Sequence, residues 1–356
     1  ANNIESNLKD GQVTSLDQVD SIDLAPGVVA KIFWGTGTMV SVIELAPNAK
    51  IPEVELPAER FAFVLEGSID QLINGKSVTL VSKEREAPDG THSGTPRVDF
   101  VYLEKGSKSA VTAGSAGAKL LEIYSPFRLD YLEKAGVTNL PTTMAELTNQ
   151  AKPNVKPNQV YDLYDFQLTE LAPGAFSRLI AGKNTQFSFI SMEPGSVFGH
   201  HIHPEEQMMM ALRGECDEIL LDTEQRMTPG DVVVIPGNMV HGAKMSAVGC
   251  DALDIFWPVR ADYMEKEQAR MAAYRAIIPE NAKPELLVDG TKTKPSLTFS
   301  EGPKWMNGKV YFSNMYFDQS WTADPSKSST VELSPDGTYK NITQGKMQTN
   351  GLYPYK

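Results

Sequence analysis

The chain contains an internal duplication, and this feature restricts its possible folds more than any other. Residues 24–27 (LAPG) recur as residues 171–174, 147 positions later. Farther along, the offset falls to 132, and residues 126–134 (PFRLDYLEK) match residues 258–266 (PVRADYMEK). The first copy therefore carries 15 additional residues in one connection. Repetition over such a span predicts two related domains in tandem rather than two unrelated ones.

The composition is that of a globular protein and excludes several classes. Of the 356 residues, 41% are hydrophobic and 22% are charged, which rules out intrinsic disorder. No apolar run approaches the roughly 20 residues that a membrane-spanning helix needs, so we expect no membrane partner. The 33 basic residues are outnumbered by 45 acidic ones, for a net charge of −12. Because phosphate backbones attract clustered cations, we expect no nucleic-acid partner.

Both copies have the pattern of antiparallel β-structure. Residues 39–45, 61–65 and 231–235 alternate apolar with polar residues or concentrate β-branched and aromatic ones, and turn sequences such as Pro-Gly and Asn-Gly separate these runs. Many short strands at this spacing are typical of a barrel or jelly roll. Each copy should end in a helix, which in the second copy covers residues 261–277. The predicted fold class is all-β, with two tandem barrels and a short C-terminal β appendage.

These patterns divide the chain into five segments. The segments are an N-terminal barrel (1–134), a connector (135–160), a C-terminal barrel (161–278), a polar linker (279–296) and a final segment (297–356). Two cysteines do not make a disulfide-rich scaffold. We therefore expect Cys216 and Cys250 to be buried free thiols rather than a bridge.

Four of the five histidines fall in two short strings of the second copy. His201 and His203 are two residues apart, so on a strand both side chains point to the same face. Gln207 follows on the next predicted strand, and His241 comes from a distant one. A closed metal site requires side chains that converge from separate strands. We therefore predict that these four side chains hold one divalent metal ion.

The two strings resemble the two motifs of the cupin superfamily almost position for position. They are GSVFGHHIHPEEQ at 195–207 and GDVVVIPGNMVH at 230–241. The resemblance extends over roughly residues 12–278, in two copies, and implies double-stranded β-helix barrels with the four side chains above as metal ligands. Two positions depart from the usual pattern. Gln207 stands where most cupin metal sites have Glu, and Asn238 stands where a turn glycine is usual.

The first copy lacks this ligand set. Its aligned positions hold Val54, Leu56, Arg60 and Ser109. None of the first three can replace an imidazole or carboxylate ligand, and a serine alone cannot hold a metal. We expect the first barrel to be metal-free and to serve packing, pairing with the second barrel or ligand binding. His92, in the additional loop, is expected at the surface.

The donor set has a chemical consequence. Three neutral imidazoles and one neutral amide leave a divalent ion its full charge, whereas a glutamate ligand would lower that charge and favour a trivalent state. The set therefore favours Lewis-acid chemistry on an oxygen-rich or anionic substrate over redox cycling. Nickel, zinc, manganese and iron(II) all remain candidates for the metal.

A third string, DIFWPVR at 254–260, adds candidate catalytic residues. Asp254 and Phe256 share one face of a strand, where a carboxyl group could move a proton and an aromatic ring could stack on a sugar. Arg260 follows near the strand end, where its guanidinium could clamp a carboxylate with two hydrogen bonds. The alternative is a structural ion pair between Asp254 and Arg260. The first copy keeps an acid and an arginine, Glu122 and Arg128, at the same places without the metal ligands.

Together these residues resemble the KdgF-type pectin-degradation cupins, single barrels that convert 4,5-unsaturated uronates from pectin or alginate breakdown into linear ketonised sugars. The resemblance implies the four metal ligands above and assigns catalysis to Asp254, Phe256 and Arg260. It also implies a small sugar-acid substrate, with Arg260 holding the carboxylate and Asp254 moving the proton. Two alternatives remain open: a non-catalytic sugar-binding or structural module, and a cupin dioxygenase, which needs redox-active iron or copper.

The C-terminal segment has a different sequence texture. Residues 297–313, with the string EGPKW at 301–305, resemble the opening blade of the SMP-30/gluconolactonase propellers, and Asn350-Gly351 resembles a later metal motif of that family. A propeller has several four-stranded blades, and this segment supplies little more than one. We expect either a piece of a longer cupin–propeller fusion or an appendage, in which Glu301 and Asn350 form no working metal site.

The N-terminus and the oligomeric state complete the expectations. The chain begins with the polar residues Ala1-Asn2-Asn3. Such a mature-like start favours a periplasmic or secreted location, with the cytoplasm as the alternative. Cupins commonly dimerise, so we expect either a homodimer or pairing of the two copies within one chain.

Overall fold

A computed structural model describes residues 4–83, 95–145, 151–278, 282–283, 285–294, 296–318 and 320–345. The chain divides into two compact units, Ala1–Tyr274 and Arg275–Lys356. None of the helices within the described residues is long and apolar enough to cross a membrane. His92 and the Asn350-Gly351 string lie outside the described residues.

The first copy folds into antiparallel strands followed by a short helix. These elements are β1 (Thr14–Ser15), β2 (Ser21–Ala25), β3 (Val28–Trp34), β4 (Met39–Leu45), β5 (Lys50–Glu55), β6 (Glu59–Ile73), β7 (Lys76–Lys83), β8 (Arg97–Leu103), β9 (Lys108–Ser125) and α1 (Leu129–Lys134). The Asn74-Gly75 turn joins β6 to β7, with φ values of 48° and 83°. Two consecutive positive φ values are what a tight hairpin of this kind requires, and asparagine followed by glycine tolerates them best.

The second copy repeats this series. Its elements are β10 (Gln159–Asp162), β11 (Leu168–Ala172), β12 (Ala175–Ala181), β13 (Gln186–Met192), β14 (Val197–His201), β15 (Glu206–Leu220), β16 (Thr223–Met227), β17 (Asp231–Ile235), β18 (His241–Trp257) and α2 (Ala261–Ile277). The strand predicted at 231–235 and the helix predicted at 261–277 are therefore confirmed at their predicted bounds.

The two copies share their strand register as well as their strand order. Val54 on β5 pairs with Ser109 on β9, and the same register on β14 and β18 pairs His201 with His241. All of these pairings are antiparallel, and long central strands, β6 with β9 and β15 with β18, dominate each sheet. The prediction of an all-β fold with two tandem barrels is confirmed.

Each barrel also contributes one short strand to the other. β1, from the N-terminal part of the chain, pairs with β17 of the second sheet, placing Thr14 opposite Val232. β10, from the start of the second copy, pairs with β8 of the first sheet, placing Tyr161 opposite Phe100. The chain therefore crosses between the two sheets twice, in positions related by the duplication.

The barrels pack against each other through the outer faces of their sheets. Aromatic rings from both copies meet there: the ring centroids of Phe61 and Phe187 are 4.6 Å apart, and those of Phe63 and Phe189 are 5.1 Å apart. These rings belong to one buried apolar cluster drawn from both copies. The two copies thus pair within one chain, because burial of this aromatic surface stabilises their contact.

The interior of the second barrel has its own apolar cluster. It includes the methionine Met209 and both cysteines, Cys216 and Cys250, whose thiols are free and buried. The expectation of two buried free thiols is confirmed.

The C-terminal unit contains a four-stranded antiparallel sheet within its described residues. The strands follow chain order: β19 (Phe299–Met306), β20 (Lys309–Met315), β21 (Ser329–Leu333) and β22 (Tyr339–Gln344). Glu301 lies on β19, where the register with β20 shifts before Lys304.

Candidate metal centre

Three histidines of the second barrel form a cluster at one end of its interior. The potential ligand atoms of His201, His203 and His241 all lie within 4.8 Å of one another. The ring centroids of His201 and His241 are 4.2 Å apart, and those of His203 and His241 are 5.0 Å apart. The structure therefore brings these three side chains together, as the sequence predicted.

Backbone carbonyls orient two of the three rings. Nδ1 of His201 lies 2.9 Å from the carbonyl oxygen of Gly199, and Nδ1 of His241 lies 2.8 Å from that of Met239. A carbonyl can only accept, so each Nδ1 carries the proton and each Nε2 keeps a lone pair. Nε2 of His241 is buried and has no hydrogen-bond partner among the described residues. An unpaired imidazole nitrogen beside two other imidazoles fits a metal ligand.

Gln207 completes the donor set from the start of β15. Its amide nitrogen donates to Oδ1 of Asp254 at 2.8 Å, and its Oε1 lies 3.2 Å from Nε2 of His203. Because the Asp254 carboxylate accepts from the amide nitrogen, the amide oxygen faces His203. The resulting set of three imidazole nitrogens and one amide oxygen suits a divalent transition metal.

Burial keeps the imidazoles uncharged. Desolvation, followed by the nearby guanidinium of Arg260, lowers the pKa of His203 to about 4. Burial also lowers the pKa of His241 to about 4, and the other histidines add to that effect. At neutral pH these ligands are thus already deprotonated, as metal binding requires.

Asp254 lies on β18, inside the barrel, and is only 7% exposed. Burial raises its pKa to about 7, while the hydrogen bond from Gln207 and the charge of Arg260 lower it. The structure therefore places this candidate proton shuttle against a predicted metal ligand, where it orients the Gln207 amide.

Arg260 forms its ion pair with Asp262, and not with Asp254 as the sequence analysis considered. Its Nε donates to Asp262 at 3.0 Å and its Nη2 at 2.6 Å, and no salt bridge joins it to Asp254 among the described residues. The guanidinium also stacks on the ring of Tyr263, 3.7 Å from its centroid. Nη1 is the remaining donor group, and it is buried without a partner in the described part of the chain. Two donor groups are thus committed to Asp262, and Nη1 alone is left for a ligand.

Phe256 is buried among other aromatic rings of the second barrel. It is 1% exposed, and its ring meets the rings of His203 and Tyr263 edge to face at 5.5 Å and 5.6 Å. The guanidinium carbon of Arg260 lies 5.1 Å from its centroid. The sugar-stacking role expected for Phe256 stays a prediction, and the surrounding rings cover its side chain in the structure.

In the first barrel, which lacks the three histidines, the residues equivalent to Arg260 and Asp262 make the same ion pair. Arg128 forks onto Asp130 in the same way, and its Nη1 lies 3.4 Å from the hydroxyl of Tyr124. Phe256 occupies the position of Tyr124 in the second copy. The missing hydroxyl is why Nη1 of Arg260 has no partner.

Deeper in the first barrel, polar side chains form a closed network. Arg60, at the position of Gln207, donates from Nη2 to Glu122 at 2.5 Å and from Nη1 to Gln71 at 2.9 Å. Gln71 in turn donates to Ser109, which occupies the position of His241, at 2.9 Å. A buried guanidinium and carboxylate thus neutralise each other where the second barrel has its predicted metal ligands. Val54 and Leu56 add no polar group to this network.

The second barrel contains a cavity beside the histidines, about 30 Å³ in volume, which is room for about two water molecules. Its polar lining comprises His201, Gln207, Glu218, His241, Asp254 and Tyr263. Sequence analysis missed Glu218 and Asp262. The duplication contains a signal for the first, since the offset of 147 places Glu218 on Gln71, a carboxyl group in place of an amide.

The fold is that of a two-barrel protein, and three histidines of its second barrel form a candidate metal site. Residues 188–255 match the Cupin domain family. This match lies within the second barrel, so that part of the chain is similar to a cupin domain.

Solved structures of similar architecture support the two-barrel arrangement. AerE from Microcystis aeruginosa matches with a TM-score of 0.50 and 13% identity over 68% of this chain and 97% of that one. Oxalate decarboxylase from Bacillus subtilis at pH 4.6 matches with a TM-score of 0.51 and 16% identity over 79% and 88%. Another structure of that decarboxylase, from work on its Mn(II) centres, gives 0.51 and 15% over 79% and 89%. These identities show a shared fold alone. A search of curated protein sequences finds no significant match.

Proposed function

We propose that the second barrel is a metal-dependent enzyme site for a small oxyanion, and that its substrate is a sugar acid. The observation that carries this proposal is the buried Nη1 group of Arg260, near the three histidines, which has no hydrogen-bond partner among the described residues. A buried donor without a partner costs about 1–3 kcal/mol, and more when it belongs to a charged group. A ligand oxygen at Nη1 offsets that cost.

Charge complementarity supports an anionic ligand. The donor set adds no negative charge of its own, so a bound divalent ion keeps its full charge and attracts a carboxylate. The metal, when bound, supplies Lewis acidity to oxygen atoms of the substrate. Arg260 adds a hydrogen-bond donor, and its two hydrogen bonds to Asp262 fix the direction in which Nη1 donates.

We propose ring opening of 4,5-unsaturated uronates as the reaction. It requires a carboxylate-binding group, which Arg260 provides through Nη1, and a metal with Lewis-acid character, which the uncharged donor set favours. Asp254 keeps the Gln207 amide oriented, and Phe256 packs under the guanidinium of Arg260. The resemblance of these residues to the KdgF-type cupins supports the choice of substrate.

The test is direct. Purified protein loaded with nickel, zinc, manganese or iron(II) in turn is mixed with 4,5-unsaturated galacturonate, and the ultraviolet absorbance of its conjugated double bond is followed. We expect the absorbance to fall faster than in buffer. Arg260→Ala and His241→Ala should abolish the acceleration, whereas Arg226→Ala, which removes an exposed arginine of the same barrel, should not. No acceleration with any metal would contradict the proposal.

A second candidate is a binding module without turnover. It is favoured by the engagement of Asp254 with Gln207, which occupies the carboxyl group expected to move the proton. Under this candidate the protein retains metal and binds the uronate, measured by calorimetry, and the absorbance does not change.

We also propose that the C-terminal unit is related to a blade of the gluconolactonase propellers. Its four antiparallel strands follow chain order, as the strands of one propeller blade do. Association with a sugar-lactone hydrolase would agree with a sugar-acid substrate for the barrel.

A further inference from the structure

We propose that Glu218 is the acid that delivers a proton to the substrate in the second barrel. This inference rests on the proposed ring opening and adds a catalytic residue to it. Glu218 lies on β15, opposite Ala243 of β18, and lines the same cavity as His241 and Asp254.

Glu218 is buried and free to interact with a ligand. It is 2% exposed, and no hydrogen bond from a described residue reaches its carboxyl group. Its neighbours around the cavity include the apolar residues Met209 and Ala243. A buried carboxyl group without a partner destabilises a fold, and a leucine or methionine would fill the same space without that cost. A functional reason for the acid is therefore required.

The first barrel shows the structural solution for this position. Gln71, the counterpart of Glu218, donates from its amide nitrogen to Ser109 at 2.9 Å and to the carbonyl of Ala110 at 3.0 Å. Its amide oxygen accepts from Arg60 at 2.9 Å. An amide at this position can thus be fully satisfied. The second barrel has the carboxyl group of Glu218 there instead, and this group lines the cavity.

The other carboxyl group of the cavity is already engaged. Asp254 accepts the Gln207 amide, so moving a proton on it would disturb a predicted metal ligand. Glu218 has no such bond. Burial, and then the neighbouring Cys216 and Asp254, raise the pKa of Glu218 well above its usual range. This shift favours the protonated form of Glu218, which is the form that can donate a proton. The titratable groups around the cavity are His201, Glu218, His241, Asp254 and Tyr263, with Cys216 on the strand of Glu218.

The proton transfers of the reaction show where Glu218 would act. The anomeric hydroxyl of the uronate loses its proton, its oxygen forms the new carbonyl bond, and the bond from the anomeric carbon to the ring oxygen breaks. The resulting enolate takes a proton on carbon and becomes a ketone. One proton leaves oxygen and one reaches carbon, so the step needs no oxidant or reductant. The hydroxyl gives its proton to solvent water and Glu218 donates its own proton to carbon. The Glu218 carboxylate then takes a proton back from solvent, so the balance closes.

The test is Glu218→Gln, the residue that the first barrel has at this position. We expect kcat to fall about 100-fold or more, the usual contribution of a general acid, while KM stays close to that of the wild type. The dissociation constant of the metal should not change. Glu224→Gln makes the same chemical change at an exposed position on the adjacent strand β16 and should leave kcat unchanged.

A second measurement does not depend on turnover. The infrared carbonyl band of a protonated buried carboxyl group should be present in the wild type and in Glu224→Gln, and it should be lost or reduced in Glu218→Gln. Wild-type kcat in Glu218→Gln, or a tenfold weaker affinity for the metal, would overturn the role of Glu218 and leave the proposed function intact. A wild-type protein that does not open the uronate ring would overturn both.

Discussion

Glu206, which precedes the predicted metal ligand Gln207, accepts hydrogen bonds from Thr36 of the first barrel. The backbone N–H and the hydroxyl of Thr36 both lie 2.8 Å from its carboxylate. The duplication repeats the contact in the other direction, since Glu59 of the first barrel accepts the N–H of Lys183 at 2.7 Å. A glutamate of each barrel therefore accepts hydrogen bonds from a turn of the other barrel. The Glu206 contact lies next to the predicted metal ligand Gln207.

Glycine is required in both turns. A Cβ atom at Gly35 would lie 2.1 Å from Oε1 of Glu206, and one at Gly182 would lie 2.7 Å from Oε1 of Glu59. We predict that Gly35→Ala displaces the Glu206 carboxylate, lowers the free energy of unfolding by about 2 kcal/mol and weakens metal binding through Gln207. Thermal unfolding and metal titration by calorimetry measure the two effects.

Gly182→Ala is the matched control, because it makes the same kind of clash in the related turn and leaves Glu206 in place. It should lower the melting temperature and keep the metal affinity of the wild type. Wild-type metal affinity in Gly35→Ala as well as in Gly182→Ala would mean that the first barrel does not position the metal ligands.

The exposed His200 allows a clean test of the histidine cluster. A divalent metal at 100 times its Kd should stabilise the wild type by about 2.7 kcal/mol, because it binds only the folded state. His241→Ala removes a buried ligand nitrogen and should abolish this gain in melting temperature. His200→Ala removes an exposed imidazole next to His201 and should preserve it. A similar response of both variants to metal would contradict the assigned ligand set.

Sequence analysis was most accurate where a local pattern determines the outcome. A run of β-branched residues predicted the strand at 231–235, and the two-residue spacing of His201 and His203 predicted their common face. The exchange of β1 and β10 between the sheets was not predicted, because strands of two and four residues carry no periodicity.

Sequence patterns also did not predict which hydrogen-bond partners the buried polar groups would have. Arg260 and Asp262 are two residues apart, a spacing with no distinctive signal, and their fork depends on how α2 begins after β18. Comparison of the two copies would have helped more than any motif. It marks Glu218 and Phe256 as positions where a residue that is satisfied in the first barrel has been replaced in the second.

Glu59 should make stability depend on pH. Burial raises its pKa to about 7, although four hydrogen bonds lower it. The folded state then binds more protons than the unfolded state between the ordinary glutamate pKa and pH 7, so the free energy of unfolding should fall as pH rises through this range. Chemical denaturation at several pH values should show a smaller fall for Glu59→Gln. The exposed Glu53→Gln should behave like the wild type, and an unchanged slope in Glu59→Gln would contradict the prediction.

Phe256→Tyr should convert the second barrel to the arrangement of the first at Arg260. The added hydroxyl would reach Nη1, as that of Tyr124 reaches Arg128, and would compete with a ligand carboxylate for this donor. A hydrogen bond to a charged group contributes about 1.5–3 kcal/mol, so uronate affinity should fall by roughly a factor of 10 to 100. Metal affinity should stay the same, because Phe256 supplies no ligand atom. The reciprocal variant Tyr124→Phe, in the barrel without the histidines, should leave uronate binding unchanged. Calorimetry on metal-loaded protein measures both quantities, and wild-type uronate affinity in Phe256→Tyr would show that the ligand does not bind through Nη1 of Arg260.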